Sequence, residues 1–222
     1  MAENYLPAIE VETGENITAS VIWLHGLGAS GHDFEPIVPH LGFAKQQGVR
    51  FVFPHAPQRP VTINNGVTMP AWYDILSMSL EREVDSAQLR QSAEQTIALV
   101  EREIARGVPS ERIVLAGFSQ GGAVVYEAAL SFSKPLAGLM VLSSYFATAD
   151  SIDIAEANKS IPILVCHGTH DPVVPEQLGQ QAVAHLEQAG YSTDYKTYPM
   201  DHSVSMPQIQ DISTWLGSVL PA

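Results

Sequence analysis

Short apolar, β-branched runs alternate along this chain with longer stretches in which apolar residues return every three or four positions. The first kind reads as buried strand and the second as amphipathic helix. Residues 5–15 read as a short strand or arm, and residues 19–24 and 49–53 as the first two strong strands. Leu89, Ala93, Ile97, Val100 and Ile104 then line one face of a helix, with Ser86 as its candidate cap and Gly107 and Pro109 behind it as stops. A strand at 113–116 and a helix at 122–130 follow. Further strands are expected at 136–142, 161–166 and 193–198, the first two separated by a polar excursion at 146–160. A helix from about 176 to 189 ends at Gly190, and Ile209, Ile212, Trp215, Leu216 and Val219 mark a last one. Strand and helix alternate without repeat, linker or low-complexity tract. The expectation is one α/β domain over residues 1–222, with a mostly parallel central sheet covered by helices on both faces.

The rhythm fails only over residues 57–85, which carry Pro57, Arg59-Pro60, Asn64-Asn65-Gly66 and Met69-Pro70. A stretch this long without periodicity is expected to be an irregular loop that covers a substrate or moves.

Composition narrows what such a domain does. Hydrophobic residues make up 45% of the 222, enough for one substantial core. Against 24 acidic residues stand 11 Lys and Arg, a formal net charge of −13. That excludes nucleic acid as an expected partner, since it demands a basic face, and argues against docking on anionic lipid. No apolar stretch approaches a membrane span, so no stable membrane insertion is expected. The first residues lack the basic and apolar segments of a signal peptide, and the single cysteine, Cys166, permits no intrachain disulfide. Cys166 falls within a strand and reads as a small core residue. A cytoplasmic protein is the default expectation.

The candidate chemistry starts at Gly117-Phe118-Ser119-Gln120-Gly121, a Gly-x-Ser-x-Gly pattern with a strand before it and a helix after it. Strand, sharp turn with serine at the tip, then helix is the nucleophile elbow of the α/β-hydrolase fold. The turn is tight and strained, so its flanks need residues without side chains, and the helix aims its positive end at the site. A serine hydroxyl also needs a base within reach and a third group to orient that base. In this fold the acid follows the serine and the histidine comes last, each on a loop after a later strand.

Asp171 is the acid candidate, in His167-Gly168-Thr169-His170-Asp171-Pro172 directly after the strand ending at Cys166. Glu176 is its nearest rival, though an acid at a helix start is explained by the helix dipole. Asp150 and Asp153 follow the preceding strand, and spacing alone leaves them open. Of eight histidines, His202 alone stands between the last strand and the last helix, and it is the base candidate. An oxyanion formed during acyl transfer needs fixed N–H donors. The backbone N–H of Gln120, next after the serine, is one candidate, and Leu27 in His25-Gly26-Leu27-Gly28 is the other. The glycine spacing of that loop matches no phosphate-binding pattern.

These motifs, together with Ala71-Trp72-Tyr73-Asp74 and Asp201-His202, resemble the acyl-protein thioesterases and bacterial carboxylesterases, a family that includes small lysophospholipases. The likeness spans nearly the whole chain with the motifs in order. It departs at Ala29-Ser30-Gly31, where many members carry an acidic residue. The resemblance implies hydrolysis of carboxylic esters with short to medium acyl chains, or of thioesters or lysolipids, with no cofactor and no metal. It also implies an acyl pocket near Trp72 and residues 76–80, where Leu76, Met78 and Leu80 are apolar, with Val173 beside the acid loop. Each of these has the alternative of an ordinary core or cover residue. The apolar loop residues could serve a homodimer as readily as a substrate.

Overall fold

The computed structural model describes residues 5–45, 47–79 and 82–221. Among the described residues, nine strands and four α-helices follow one another in chain order. β1 (Ala8–Glu12), β2 (Ile17–Leu24), β3 (Gly48–Pro54), β6 (Ile113–Phe118), β7 (Gly138–Leu142), β8 (Ile163–Gly168) and β9 (Thr193–Tyr198) form one sheet in the order β1-β3-β2-β6-β7-β8-β9. β1 runs antiparallel to β3 along the edge, and every other pairing is parallel.

The side chains of successive strand residues point to opposite faces, and two apolar layers result. Ile22, Leu24, Leu115, Leu139, Val141 and Val165 face one layer. There they meet α1 (Ser86–Ala105), α2 (Gln120–Ser131) and α3 (Glu176–Gln188). Val21, Trp23, Val114, Met140, Leu164 and Cys166 face the other layer, which α4 (Met206–Val219) and residues 34–44 close. Residues 120–130 of α2 are all buried, as the apolar and small side chains of that helix require.

Several boundaries differ from the sequence expectation. Asp85 rather than Ser86 caps α1, its carboxylate accepting from Gln88 N–H. β7 and β8 each begin two residues later than their apolar runs, because Leu136 N–H bonds the Asn158 side chain and Pro162 can donate to no ladder. Glu35–His40, unassigned from the pattern, forms a 3-10 helix. Pro36 and Pro39 lack the N–H groups an α-helix would use, although Phe34, Ile37, Val38 and Leu41 carry helical spacing.

The expectation of an irregular loop over 57–85 is corrected for residues 58–70. β4 (Gln58–Val61) and β5 (Val67–Pro70) pair antiparallel as a hairpin. Asn65 and Gly66 turn it with positive φ, at 55° and 73°. Leu80 lies outside the described residues, as do 1–4 at the start of the chain. Among the described residues, no helix is long and apolar enough to cross a membrane.

Topology places the site. From β2 the chain builds outward through β3, then returns to add β6 on β2's other side. The crevice above the C-terminal ends of β2 and β6 is therefore where the strand order reverses, the position at which open α/β sheets bind ligands. His25 follows β2 there and Ser119 follows β6.

Candidate active site

Ser119 holds φ 54° and ψ −119°, a conformation that costs an L-residue about 1–3 kcal/mol. Its surroundings fix it. Ser119 N–H donates to Leu142 O at 2.9 Å, and its carbonyl accepts from Ser144 Oγ at 2.6 Å and Gly122 N–H at 2.9 Å. The glycines on either side are required by close approach. A Cβ on Gly117 would lie 2.4 Å from Gly121 O, and one on Gly121 would lie 2.6 Å from His25 O. A serine before a helix normally caps it, but the Ser119 side chain makes no cap bond to α2. Its Oγ sits 2.9 Å from His202 Nε2 instead.

His202 Nδ1 lies 2.7 Å from Asp171 Oδ2. The other carboxylate oxygen accepts from Val173 N–H at 2.9 Å and Val174 N–H at 2.8 Å. Burial alone would push the Asp171 carboxyl up. The hydrogen bonds from His202 and from the Val174 and Val173 N–H groups outweigh it and hold the carboxyl below its ordinary value. The loops carrying acid and histidine are tied together: Thr169 N–H donates to Tyr198 O at 2.9 Å and His170 N–H to Met200 O at 3.1 Å. The rival acids stand elsewhere. Glu176 heads α3 and meets Gln180 and Tyr195, Asp150 is exposed near His185, and Asp153 is exposed.

Leu27 and Gln120 each present a backbone N–H with no acceptor among the described residues. The two segments touch. A Cβ on Gly26 would lie 3.4 Å from Ser119 Cβ, and the first turn of α2 packs on the Leu24 and His25 carbonyls. The arrangement can take a proton from Ser119 through His202 to a carboxylate-stabilised imidazole, and can offer N–H donors to an oxygen bound beside the serine. Among the described residues, no group of three or more His, Cys, Asp or Glu side chains is arranged to hold a metal ion.

Of the five residues expected around an acyl chain, the four that are described divide. Leu76, Met78 and Val173 expose apolar side chains, at 45%, 43% and 41%. Arg82 joins them, donating to Val173 O and approaching Met78 Sδ at 3.1 Å, with its guanidinium over the Tyr145 ring. Trp72 is fully buried and offers a ligand no surface. Its indole N–H donates to His25 O at 2.8 Å, so it braces the Gly26–Leu27 turn.

Three supports escape a reading of the sequence. His25 Nε2 accepts from Ala56 N–H at 3.2 Å, which leaves the proton on Nδ1, 2.7 Å from Gly26 O. His167 Nε2 donates to Val174 O at 2.8 Å and so fixes the turn whose N–H groups grip Asp171. Burial lowers the pKa of both imidazoles below the ordinary histidine value. Their positions next to the motifs were visible, but the partners that give them work come from 7 to 31 residues away. The third is an aromatic row, Trp23, Phe34, Phe118 and His202, with neighbouring ring centroids 5.0, 5.5 and 4.7 Å apart.

A family model described as phospholipase/carboxylesterase matches residues 7–220. The chain belongs to the phospholipase/carboxylesterase family. Members of this family are serine-type hydrolases of esters or thioesters, and the sheet and helix layers described above are those of the α/β-hydrolase fold. A relative in the family, acyl-protein thioesterase 1 of Gibberella zeae, is 37% identical over 92% of this chain and 92% of its own. The crystal structure of Arabidopsis thaliana SOBER1 is 32% identical, covers 91% of this chain and 99% of that one, and superposes with a TM-score of 0.85. Zea mays acyl-protein thioesterase 2 is 25% identical over 97% of this chain and all of its own, with a TM-score of 0.86.

Proposed function

We propose that the chain is a carboxylesterase, acting as one domain on carboxylic esters of short to medium acyl chain length through an acyl-enzyme. The hydrogen-bonded row from Ser119 Oγ through His202 to Asp171, at 2.9 and 2.7 Å, carries the reading. Ser119 Oγ attacks the acyl carbonyl while His202 Nε2 takes its proton. Asp171 holds the imidazole and stabilises the imidazolium that forms. The carbonyl oxygen becomes an oxyanion beside the Leu27 and Gln120 N–H groups, and losing one such donor typically costs about 3 kcal/mol of transition-state stabilisation. As the tetrahedral intermediate collapses, His202 returns the proton to the departing oxygen. Water, deprotonated by His202, then attacks the acyl-serine and releases the acid. Leu76, Met78 and Val173 receive the acyl chain.

Thioester cleavage is the second reading, favoured by the 37% identity to an acyl-protein thioesterase. The same atoms serve it, with sulfur leaving in place of oxygen. The family description also names phospholipases, which keeps lysolipids among the substrates to assay.

A fluorophosphonate probe tests the mechanism. It is expected to label the native chain and not Ser119→Ala. An unlabelled native chain removes the serine-hydrolase mechanism, and labelling that survives in Ser119→Ala moves the nucleophile elsewhere. Rates over paired aryl esters and acyl thioesters of increasing acyl length then decide between the two readings.

A further inference from the structure

A hollow of about 310 Å³ opens against His202, and Leu76, Met78 and Val173 line no part of it. Phe34, Ile37, Phe118, Val204 and Ile209 supply its apolar walls, and Asp33 is exposed at its rim. The buried neighbours of the two groups pack on opposite faces of the sheet. Ile75 and Val174, neighbours of the acyl-side residues, pack into the layer of α1, α2 and α3. Phe34, Phe118 and Ile209 pack into the layer of α4.

We infer that this hollow is the subsite for the leaving group, and that it takes a neutral, apolar alcohol or thiol about the size of one ring. The inference rests on the mechanism proposed above. That mechanism requires His202 Nε2 to deliver a proton to the departing atom, so the departing group must lie within hydrogen-bond reach of that nitrogen. The hollow has His202 as one wall. Phe118 stacks on the imidazole at 4.7 Å between centroids, and Phe34 follows at 5.5 Å, so an aromatic surface runs from the proton donor into the hollow. Its volume lies at the small end of ligand pockets, room for a ring or a short branched chain. The carboxylate of Asp33 and the net charge of −13 both disfavour an anionic group there. A charged headgroup as leaving group is thus the poorer fit.

The test holds the acyl group constant as acetyl and varies the alcohol through methyl, n-butyl and benzyl, leaving groups of similar acidity. In the native enzyme kcat/KM is expected to rise from methyl to benzyl by about tenfold or more, as contact with an apolar pocket does per added carbon or two. Ile37→Trp or Val204→Trp, which fill the hollow, should bring the benzyl-to-methyl ratio to about one. Met78→Ala, on the acyl side, should leave that ratio within about twofold of native while altering the response to acyl length. A native ratio near one overturns the inference whether or not the tryptophan variants fold, and so does a folded Ile37→Trp that keeps the native ratio. In those outcomes probe labelling at Ser119 persists and the hydrolase reading stands. A native chain inert to every ester and to the probe overturns both.

Discussion

The side-chain amide of Gln120 donates to the carbonyl of Tyr73 across 2.6 Å, joining the first residue of α2 to a loop 47 residues upstream. Its Oε1 accepts from Trp72 N–H at 2.8 Å, and the Trp72 indole in turn holds His25 O. One residue thus offers a free backbone N–H to the site and uses its side chain to brace the turn bearing the other candidate donor, Leu27. Gln120→Ala keeps the first and removes the second. Two buried backbone groups would lose their partners, each worth about 1–3 kcal/mol. The urea midpoint should fall clearly and labelling of Ser119 should slow. An unchanged midpoint would show that this clamp carries nothing.

Asp171→Asn is expected to lower kcat by a factor on the order of 10⁴, the effect of the same exchange in a serine protease triad. The geometry gives the reason. Two N–H groups, from Val173 and Val174, point at Oδ1 and will hold the amide oxygen there. The amide NH₂ then faces His202 Nδ1, which must accept, so the ring proton moves to Nε2 and cannot leave room for the serine proton. Nitrogen NMR of His202 should report the changed tautomer with the thermal midpoint nearly retained. A kcat within about tenfold of native would place the acid elsewhere.

Far from the site, Glu103 on α1 is wholly buried and joins three elements. Its carboxylate accepts from Ser20 Oγ at 2.7 Å, Arg50 Nη1 at 2.7 Å and Arg106 Nη1 at 2.9 Å. Burial pushes its carboxyl up, and the bonds from Arg50 and Ser20 with the charge of Arg106 pull it further down, to a net value below the ordinary one. Glu103→Ala leaves the largely buried Arg50 without its main partner and should cost about 3–5 kcal/mol in chemical unfolding. A loss under about 1 kcal/mol would mean that Glu10 and Glu12 suffice for Arg50.

Acid should weaken the fold through His25 and His167. Both are held neutral by burial, with folded pKa values below the ordinary 6.5. Above pH 6.5 neither state binds the proton and nothing changes. As pH falls below 6.5 the unfolded chain takes up protons that the folded chain refuses, so stability declines until the folded values are reached. Protonation would also break the Ala56 N–H bond to His25 Nε2. The thermal midpoint should drop between pH 7 and pH 5, with proton uptake on unfolding of up to about two from these groups. A flat midpoint over that window would contradict the buried neutral imidazoles.

What the chain's pattern reveals is set by range. Parallel strands buried on both faces are written as continuous apolar runs, and α1 repeats its face every turn, so both are local signals. The elbow is legible because three constraints fall within five residues: a tight turn, a close backbone approach at Gly117 and Gly121, and a hydroxyl at the tip. The family resemblance implies a pocket near Trp72, yet its indole turns inward to a carbonyl 47 residues away, a partner that no local pattern shows. The hairpin at 58–70 has a local sign in Asn65-Gly66, masked by Pro57 before it, Pro60 within β4 and Pro70 at the end of β5. The hollow beside His202 had none, because Phe34, Phe118 and Val204 meet only after the sheet has closed.

The backbone bonds between the acid and histidine loops bear on how the site moves. Asp171 and His202 ride on neighbouring strands, β8 and β9, whose C-terminal loops are laced by Thr169 to Tyr198 and His170 to Met200. Ser119 is fastened elsewhere in the same sheet, at the turn between β6 and α2 and at the end of β7. Acid and base are therefore tied to each other through backbone as well as side-chain bonds, whereas Oγ meets Nε2 through a single side-chain contact of 2.9 Å. Changes in β8 or β9 that shift these two loops as a pair then reach the chemistry through that one contact.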